Sequence, residues 1–269
     1  MTNSGKRRVV VTGAAGTIGQ SVTRYLKGDF DLVGVERSRR GDPSVATVTA
    51  DLADLDATTR ALEGAAAVVH LAAAAQLDAA WESVLRDNMV ATYNVFEAAR
   101  LQSVDRVVLA SSHHVVGIYE EDGAPEIYDL RRTDLIGVGA ELRPDSLYAV
   151  SKIFGESLGR YYHERHGMAV ICLRIGVVRE DDDPASDAVA ESAGWLSLTT
   201  RERYARTQAV WLSGQDAARL IRCALDSTTR WAVVYGTSDN PRVLWDPAPA
   251  RDLLGYHPMD RPRSRIEPE

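Results

Sequence analysis

Residues 8–19, Arg8-Val-Val-Val-Thr12-Gly13-Ala-Ala-Gly16-Thr-Ile-Gly19, decide the fold. A short β-branched run leads into a glycine-rich turn, and a helical pattern follows from Ser21 to Leu26, so the order is strand, tight turn, helix. Gly13 permits the turn, Gly16 lets backbone approach a pyrophosphate, and Gly19 allows close packing of helix on strand. The helix N-terminus adds free N–H groups and the positive end of a dipole. The glycine triplet is informative because the required strand precedes it and the required helix follows.

Working outward, Phe30 to Val35 is a second buried-type strand that ends in Glu36. A carboxylate about twenty residues beyond such glycines can accept both ribose hydroxyls of NAD and repels the 2′-phosphate of NADP. Arg37, Arg39 and Arg40 argue the other way, as a phosphate clamp, or form a solvated basic loop; the balance favours NAD. Val45 to Ala50 reads as the third strand, with Asp51 at its end near the adenine edge. Ala67 to Ala72 reads as the fourth, its carboxyl end pointing at the crevice where open α/β sheets bind ligands. The alanines from Ala72 to Ala75 either let a dinucleotide lie against backbone or pack a helix start. His70 reads as a packed histidine, since no second metal ligand lies at usable spacing.

Trp81 to Ala99 has the spacing of an amphipathic helix, with apolar Val84, Leu85, Met89, Tyr93, Val95 and Phe96. Asn88 within it can tie a neighbouring strand in place if it faces the sheet. Arg106 to Ala110 is the fifth strand and runs into Ser111, Ser112, His113 and His114. A hydroxyl there sits at the sheet's carboxyl edge, so Ser112 is the candidate to hydrogen-bond a reacting oxygen, with Ser111 the alternative one residue away. Tyr148 and Lys152 are four apart, on one helical face. An ammonium beside a phenol favours the phenolate, which can then act as a general base.

The set TGAAGTIG, the acidic end of strand two, HLAA, the serine-bearing fifth strand and YAVSK resembles the extended short-chain dehydrogenase/reductase superfamily over nearly the whole chain. The stretches ASSHHVVGIYE, LRPDSLYAVSK, GESLGRYYHERHG, LRIG, RTQAVWLS and VVYGTSDN are most similar to uronate dehydrogenases and the NAD-dependent glucose-6-phosphate dehydrogenases of halophilic archaea. The resemblance implies an α/β fold, a Rossmann-type doubly wound parallel sheet with a small carboxy-terminal substrate lobe. Residues 1–269 would form one domain, 1–174 mainly the NAD-binding core and 175–269 mainly the substrate lobe and the last core elements.

The implied reaction is oxidation of a cyclic aldose, of the hexuronate or hexose 6-phosphate class, at its anomeric carbon to give a lactone and NADH. Tyr148 would remove the hydroxyl proton, Ser112 would position the oxygen, and Lys152 would hold both ribose and phenolate. The cofactor contacts implied are Gly13, Gly16, Thr17, Ile18, Gly19, Glu36, Asp51, Leu52, Leu71, Ala72, Ala73, Asn88, Ser111, Lys152 and Ile175. Substrate contacts fall on Ala75, Ser112, His113, His114, Val177 and Arg206. Arg206 matches the arginine that grips the sugar carboxylate in uronate dehydrogenases, a task suited to a planar guanidinium fork; the other reading is an ordinary surface arginine. Ala75 and Val177 stand where those enzymes carry serines, and an imidazole at His113 replaces an amide. The stretch from Val178 to Tyr204 is longer than in either relative and is a lid or a solvated loop. A nucleotide-sugar epimerase or dehydratase would use the same Tyr148 and Lys152, but needs a larger lobe than the residues after Arg174 provide.

Composition fits this reading. The chain has 269 residues, 45% hydrophobic and 26% charged, enough for one α/β domain with an ample core. A net charge of −7 argues against nucleic acid as a partner, and no apolar run is long enough to span a membrane. The start, MTNSGKRR before VVVTGAAG, looks like a secretory leader, but its apolar part already serves as strand and turn; the expectation is a cytoplasmic homo-oligomer. Cys172 and Cys223 lack C-x-x-C spacing and indicate neither a disulfide framework nor zinc. Three consecutive aspartates, Asp181 to Asp183, converge poorly on an ion, so no metal is expected. His163 and His166 should complement the end of the Tyr148 helix, and the tail from Arg261 should be loose.

Overall fold

The computed structural model describes residues 5–38, 42, 44–263 and 265. In chain order the elements are β1 (Arg8–Thr12), α1 (Thr17–Leu26), β2 (Asp31–Glu36), β3 (Ala46–Thr49), α2 (Leu55–Ala61), β4 (Ala67–His70), α3 (Trp81–Ser83), α4 (Ala91–Leu101), β5 (Arg106–Ser112) and α5 (Ile118–Gly123). There follow α6 (Leu147–His166), β6 (Ala169–Ile175), α7 (Thr200–Val210), α8 (Gly214–Asp226), β7 (Trp231–Gly236) and α9 (Ala248–Leu254). Among the described residues seven strands form one parallel sheet in the order β3-β2-β1-β4-β5-β6-β7. The chain reverses direction across the sheet between β1 and β4, and the crevice at that reversal lies above their carboxyl ends.

Strand alternation divides the core. Val9 and Val11 of β1 join Val22 and Leu26 of α1 and Leu220 and Ile221 of α8 on one face. Val10 points the opposite way, toward Phe96 of α4 and Tyr162 of α6. Central strands are buried on both faces and so read as continuous apolar runs; short, largely exposed β3 closes the edge. Helix α8 and strand β7 complete this core, and a further apolar cluster joins Val115, Tyr128, Val210 and Trp245 beyond the carboxyl end of the sheet. No helix among the described residues is long and apolar enough to cross a membrane.

Three expectations change. The expected helix over Trp81 to Ala99 is broken by a π-helical stretch, Val84–Val90, which turns Asn88 inward and leaves Leu85 and Tyr93 exposed. A wider turn shifts every following residue off the 3.6 periodicity, so two apolar positions face outward. The stretch from Val178 to Tyr204 is docked rather than solvated: the 3-10 turn Asp187–Glu191 buries Val189 against Tyr204, and Arg179 binds Asp181. The tail is also tied down as far as it is described. Asp216 accepts the Asp260 N–H at 3.0 Å, Pro262 is buried, and Arg265 pairs with Asp187.

Helix α6 carries Tyr148 and Lys152. Ser146 caps its start by accepting the Ala149 N–H, Gly167 ends it in a left-handed conformation, and the His163 ring meets the Met168 carbonyl at 2.9 Å. Tyr148, Lys152 and Glu156 lie at successive four-residue steps on its inner face. A Cβ on Gly159 would come within 2.9 Å of Val170, so glycine lets the helix approach β6. Glu156 then locks it: its carboxylate accepts from Arg174 through Nε and Nη2, both at 2.9 Å, and from the Ser111 hydroxyl at 2.6 Å. Arg174 also donates to the Tyr235 hydroxyl at 3.0 Å, joining α6, β5, β6 and β7.

Removing one partner of a buried ion pair strands the other charge. Glu156→Ala should therefore cost about 3–5 kcal/mol of stability in urea unfolding, whereas Glu164→Ala, which breaks the exposed Arg160–Glu164 pair, should cost at most about 1 kcal/mol. Equal losses would show that the buried pair does not hold α6.

Candidate active site

The glycine turn after β1 has the steric character its sequence implies. Gly13 has φ +71°, and a Cβ there would sit 2.8 Å from the Ala72 nitrogen. A Cβ on Gly19 would sit 2.2 Å from the Gly13 carbonyl. Gly16 is the N-cap of α1, and no side chain caps that helix start, leaving its N–H groups to an anion from the cleft. Glu36 is anchored to the turn, accepting the Ala15 N–H at 2.6 Å. Asp51 accepts the Ala53 N–H at 3.0 Å and pairs with Arg86.

A cleft of two lobes, about 400 and 350 Å³, runs over these groups. The lobes share Gly13, Gly16, Leu71 and Ala73. Glu36, Asp51, Leu52 and Ala72 line the first lobe; Thr17, Ile18, Gly19, Ile175 and the tyrosine-lysine pair line the second. Backbone amides, a helix N-terminus and a fixed carboxylate fit a dinucleotide laid across the glycine turn. Arg37 also lines the first lobe and pairs there with Asp87 at 2.9 Å; Arg39 and Arg40 lie outside the described residues.

Two polar anchors shape the cleft wall from behind. The Thr12 hydroxyl accepts the Leu71 and Ala72 N–H groups and meets His70 Nδ1 at 2.7 Å, while His70 Nε2 meets the Thr92 hydroxyl at 3.1 Å. Burial holds His70 neutral, lowering it to about 3, so it is a structural pin. Asn88 bonds both the N–H and the carbonyl of Ala74, at 2.7 and 3.1 Å, and the Ser151 hydroxyl at 3.0 Å. It therefore sets the path of the alanine run instead of lining the cleft.

Strand alternation gives the two serines different partners. Ser111 gives its hydroxyl to Glu156, away from Tyr148. Ser112 lines the same lobe as Tyr148, lowers the pKa of that phenol, and accepts the His114 N–H at 3.2 Å. The Lys152 ammonium donates to the Ala110 carbonyl at 2.8 Å and lies 5.4 Å from the Tyr148 ring centre. The expected lowering of the phenol by Lys152 is not found: burial pushes Tyr148 up to about 12, with Ser112 pulling down and Asp145 pushing up. Burial also lowers Lys152 to about 8, because stripping water disfavours each charged form.

Beyond Tyr148 the wall consists of Ala75, His113, His114 and Val177. His114 Nδ1 lies 2.5 Å from Asp145, and its ring stands edge-on to Tyr148 and Trp195. A Cβ on Gly117 would collide with that carboxylate at 1.8 Å, so glycine makes room for it. Arg206 is neither on the surface nor among the residues lining this wall; it is buried and bound to Glu120. Sequence reasoning assigned no role to Asp87, Asp145 or Glu120. Asp145 sits inside the quoted LRPDSLYAVSK stretch, but nothing in spacing announces its contact with His114, 31 residues away.

Residues 9–179 match the NAD dependent epimerase/dehydratase family. The chain is 36% identical over 261 residues to an NAD-dependent glucose-6-phosphate dehydrogenase of Haloferax volcanii, covering 94% of this chain and 93% of that one. It is 38% identical over 265 residues to an L-arabinose 1-dehydrogenase (NAD(P)(+)) of the same organism, covering 97% and 99%. The crystal structure of uronate dehydrogenase from Agrobacterium tumefaciens superposes with a TM-score of 0.75 at 30% identity, covering 94% of this chain and 85% of that one. With its glycine turn, its anchored Glu36 and its Ser112, Tyr148 and Lys152 gathered at one sheet edge, the chain belongs to the NAD-dependent epimerase/dehydratase family.

Proposed function

We propose that this protein is an NAD-dependent sugar dehydrogenase that oxidises a cyclic aldose at its anomeric carbon to the lactone, with Tyr148 as general base. The observation that carries the reading is the convergence of Ser112, Tyr148 and Lys152 at the carboxyl end of β5, where the cleft passes from the glycine turn to the sugar side. The relatives at 36% and 38% identity, both named as sugar dehydrogenases, support it.

Oxidation requires loss of a proton from the C1 hydroxyl as hydride leaves C1, so that the C1–O bond becomes a carbonyl. Bound NAD supplies the hydride acceptor and a positive charge. Ser112 donates to or accepts from the reacting oxygen and Tyr148 takes its proton. Burial raises the phenol of Tyr148, so the phenolate would depend on positive charge from Lys152 and the loaded cleft. Lys152 retains enough basicity to be charged at pH 7 while being buried against the phenol. Glu36, held by the Ala15 N–H, would receive the ribose hydroxyls, and the α1 N-terminus the pyrophosphate. Assembly into a homo-oligomer is supported by the exposed Tyr93, Leu101, Val150 and Tyr161 on α4 and α6.

Tyr148→Phe should lower turnover by at least about 100-fold while NAD binding, read by fluorescence titration, stays near wild type. Retention of more than a tenth of turnover would remove Tyr148 as the base. Replacement Glu36→Ala should raise the NADP-to-NAD ratio of kcat/KM by at least about tenfold, equivalent to about 1.4 kcal/mol. A wild-type enzyme that already uses NADP as well as NAD would show that Glu36 does not govern cofactor choice.

A further inference from the structure

Arg206 is not available to a substrate anion. It projects from α7 into a buried cluster, where Nε lies 2.9 Å from Glu120 Oε1 and Nη2 donates to Oε2 at 3.1 Å. The Tyr128 hydroxyl donates to the same carboxylate at 2.8 Å. The Trp195 ring packs 5.4 Å from the guanidinium carbon. The Arg206 and Glu120 side chains are only 7% and 3% exposed, so the two charges cancel within a small, dry volume. Both carboxylate oxygens are occupied.

The rest of the sugar side is equally short of positive charge. Among the described residues lining this lobe, Lys152 is the one lysine or arginine, and its ammonium is held by the Ala110 carbonyl next to the phenol. His113 is kept neutral by burial and by the neighbouring His114 and Arg206. His114 faces the Asp145 carboxylate. A carboxylate or phosphate entering here would find no uncommitted lysine or arginine among the described lining residues, and the Asp145 carboxylate stands against His114, a like charge that disfavours an anion. Capturing Arg206 would require it to displace a buried partner and strand that partner's charge.

We propose that the sugar site takes a neutral aldose, and that Glu120 is the specificity-determining residue: by occupying Arg206 it removes the cation that a hexuronate or sugar phosphate would need. This rests on the dehydrogenase reading above. It departs from the anionic sugars that the resemblance implies, because that implication depends on a free guanidinium. Hydroxyl and imidazole groups at Ser112, His113 and His114 remain to bind sugar hydroxyls.

The test is the ratio of kcat/KM on neutral sugars (glucose, galactose, xylose, arabinose) to that on glucuronate, galacturonate and glucose 6-phosphate, using the intact chain with NAD. Wild type should favour its best neutral sugar over its best anionic one by at least about tenfold. Glu120→Gln, which keeps an acceptor for Tyr128 and frees the Arg206 charge, should shift that ratio toward the anions by at least about tenfold. If the variant does not fold, the wild-type preference still decides. Wild-type preference for a uronate or sugar phosphate would overturn the inference and leave the dehydrogenase reading intact. An unchanged ratio in folded Glu120→Gln would overturn the role of Glu120. Absence of NADH formation with every sugar would instead overturn the dehydrogenase reading, and this inference with it.

Discussion

The buried pair between Glu156 and Arg174 holds the rest of the site in place. Tyr148 and Lys152 stand two turns and one turn before Glu156 on the same face of α6, so fixing that carboxylate against β6 fixes the phenol and the ammonium against the end of β5. The pair is bidentate, with Ser111 and Tyr235 satisfying further hydrogen-bonding capacity. Charge burial on this scale is tolerable only when partners are complete. The small residues beside it serve the same end, since Gly155 and Gly159 bring the helix axis close to Leu109 and Val170.

Burial and charge compete throughout the cleft. Water exclusion raises Tyr148 and lowers Lys152, so each charged form is disfavoured, and a positive charge added to the cleft has a large effect on the phenol. The same physics keeps His70 neutral between two threonines and makes the Glu120–Arg206 pair self-contained. At the sugar end, a wall of methyl, imidazole and hydroxyl groups follows from these local cancellations.

What the chain reveals before folding is what is local. The glycine turn, the strand runs of β1, β2, β4 and β5, and the four-residue step from Tyr148 to Lys152 are each written within about a dozen residues, and each appears where its spacing implies. The π-helical stretch at Val84–Val90 is not legible, because its apolar residues still match a 3.6 period well enough to pass as one helix. Ser111 and Ser112 separate only once strand alternation and the place of Glu156 are known. Glu120 and Arg206 are 86 residues apart, so no pattern joins them; resemblance alone assigns Arg206 to a substrate anion, and the pairing emerges from packing.

The central claim is that hydride leaves the anomeric carbon of a sugar and stays on the nicotinamide. It is tested most directly with an aldose carrying deuterium at C1, chosen as the sugar that gives the fastest reduction, followed by mass analysis of the coenzyme. One deuterium per NADH formed, with lactone as the sugar product, is the result this account predicts. Unlabelled NADH, or deuterium returned to an epimerised sugar with no net NADH, would contradict it.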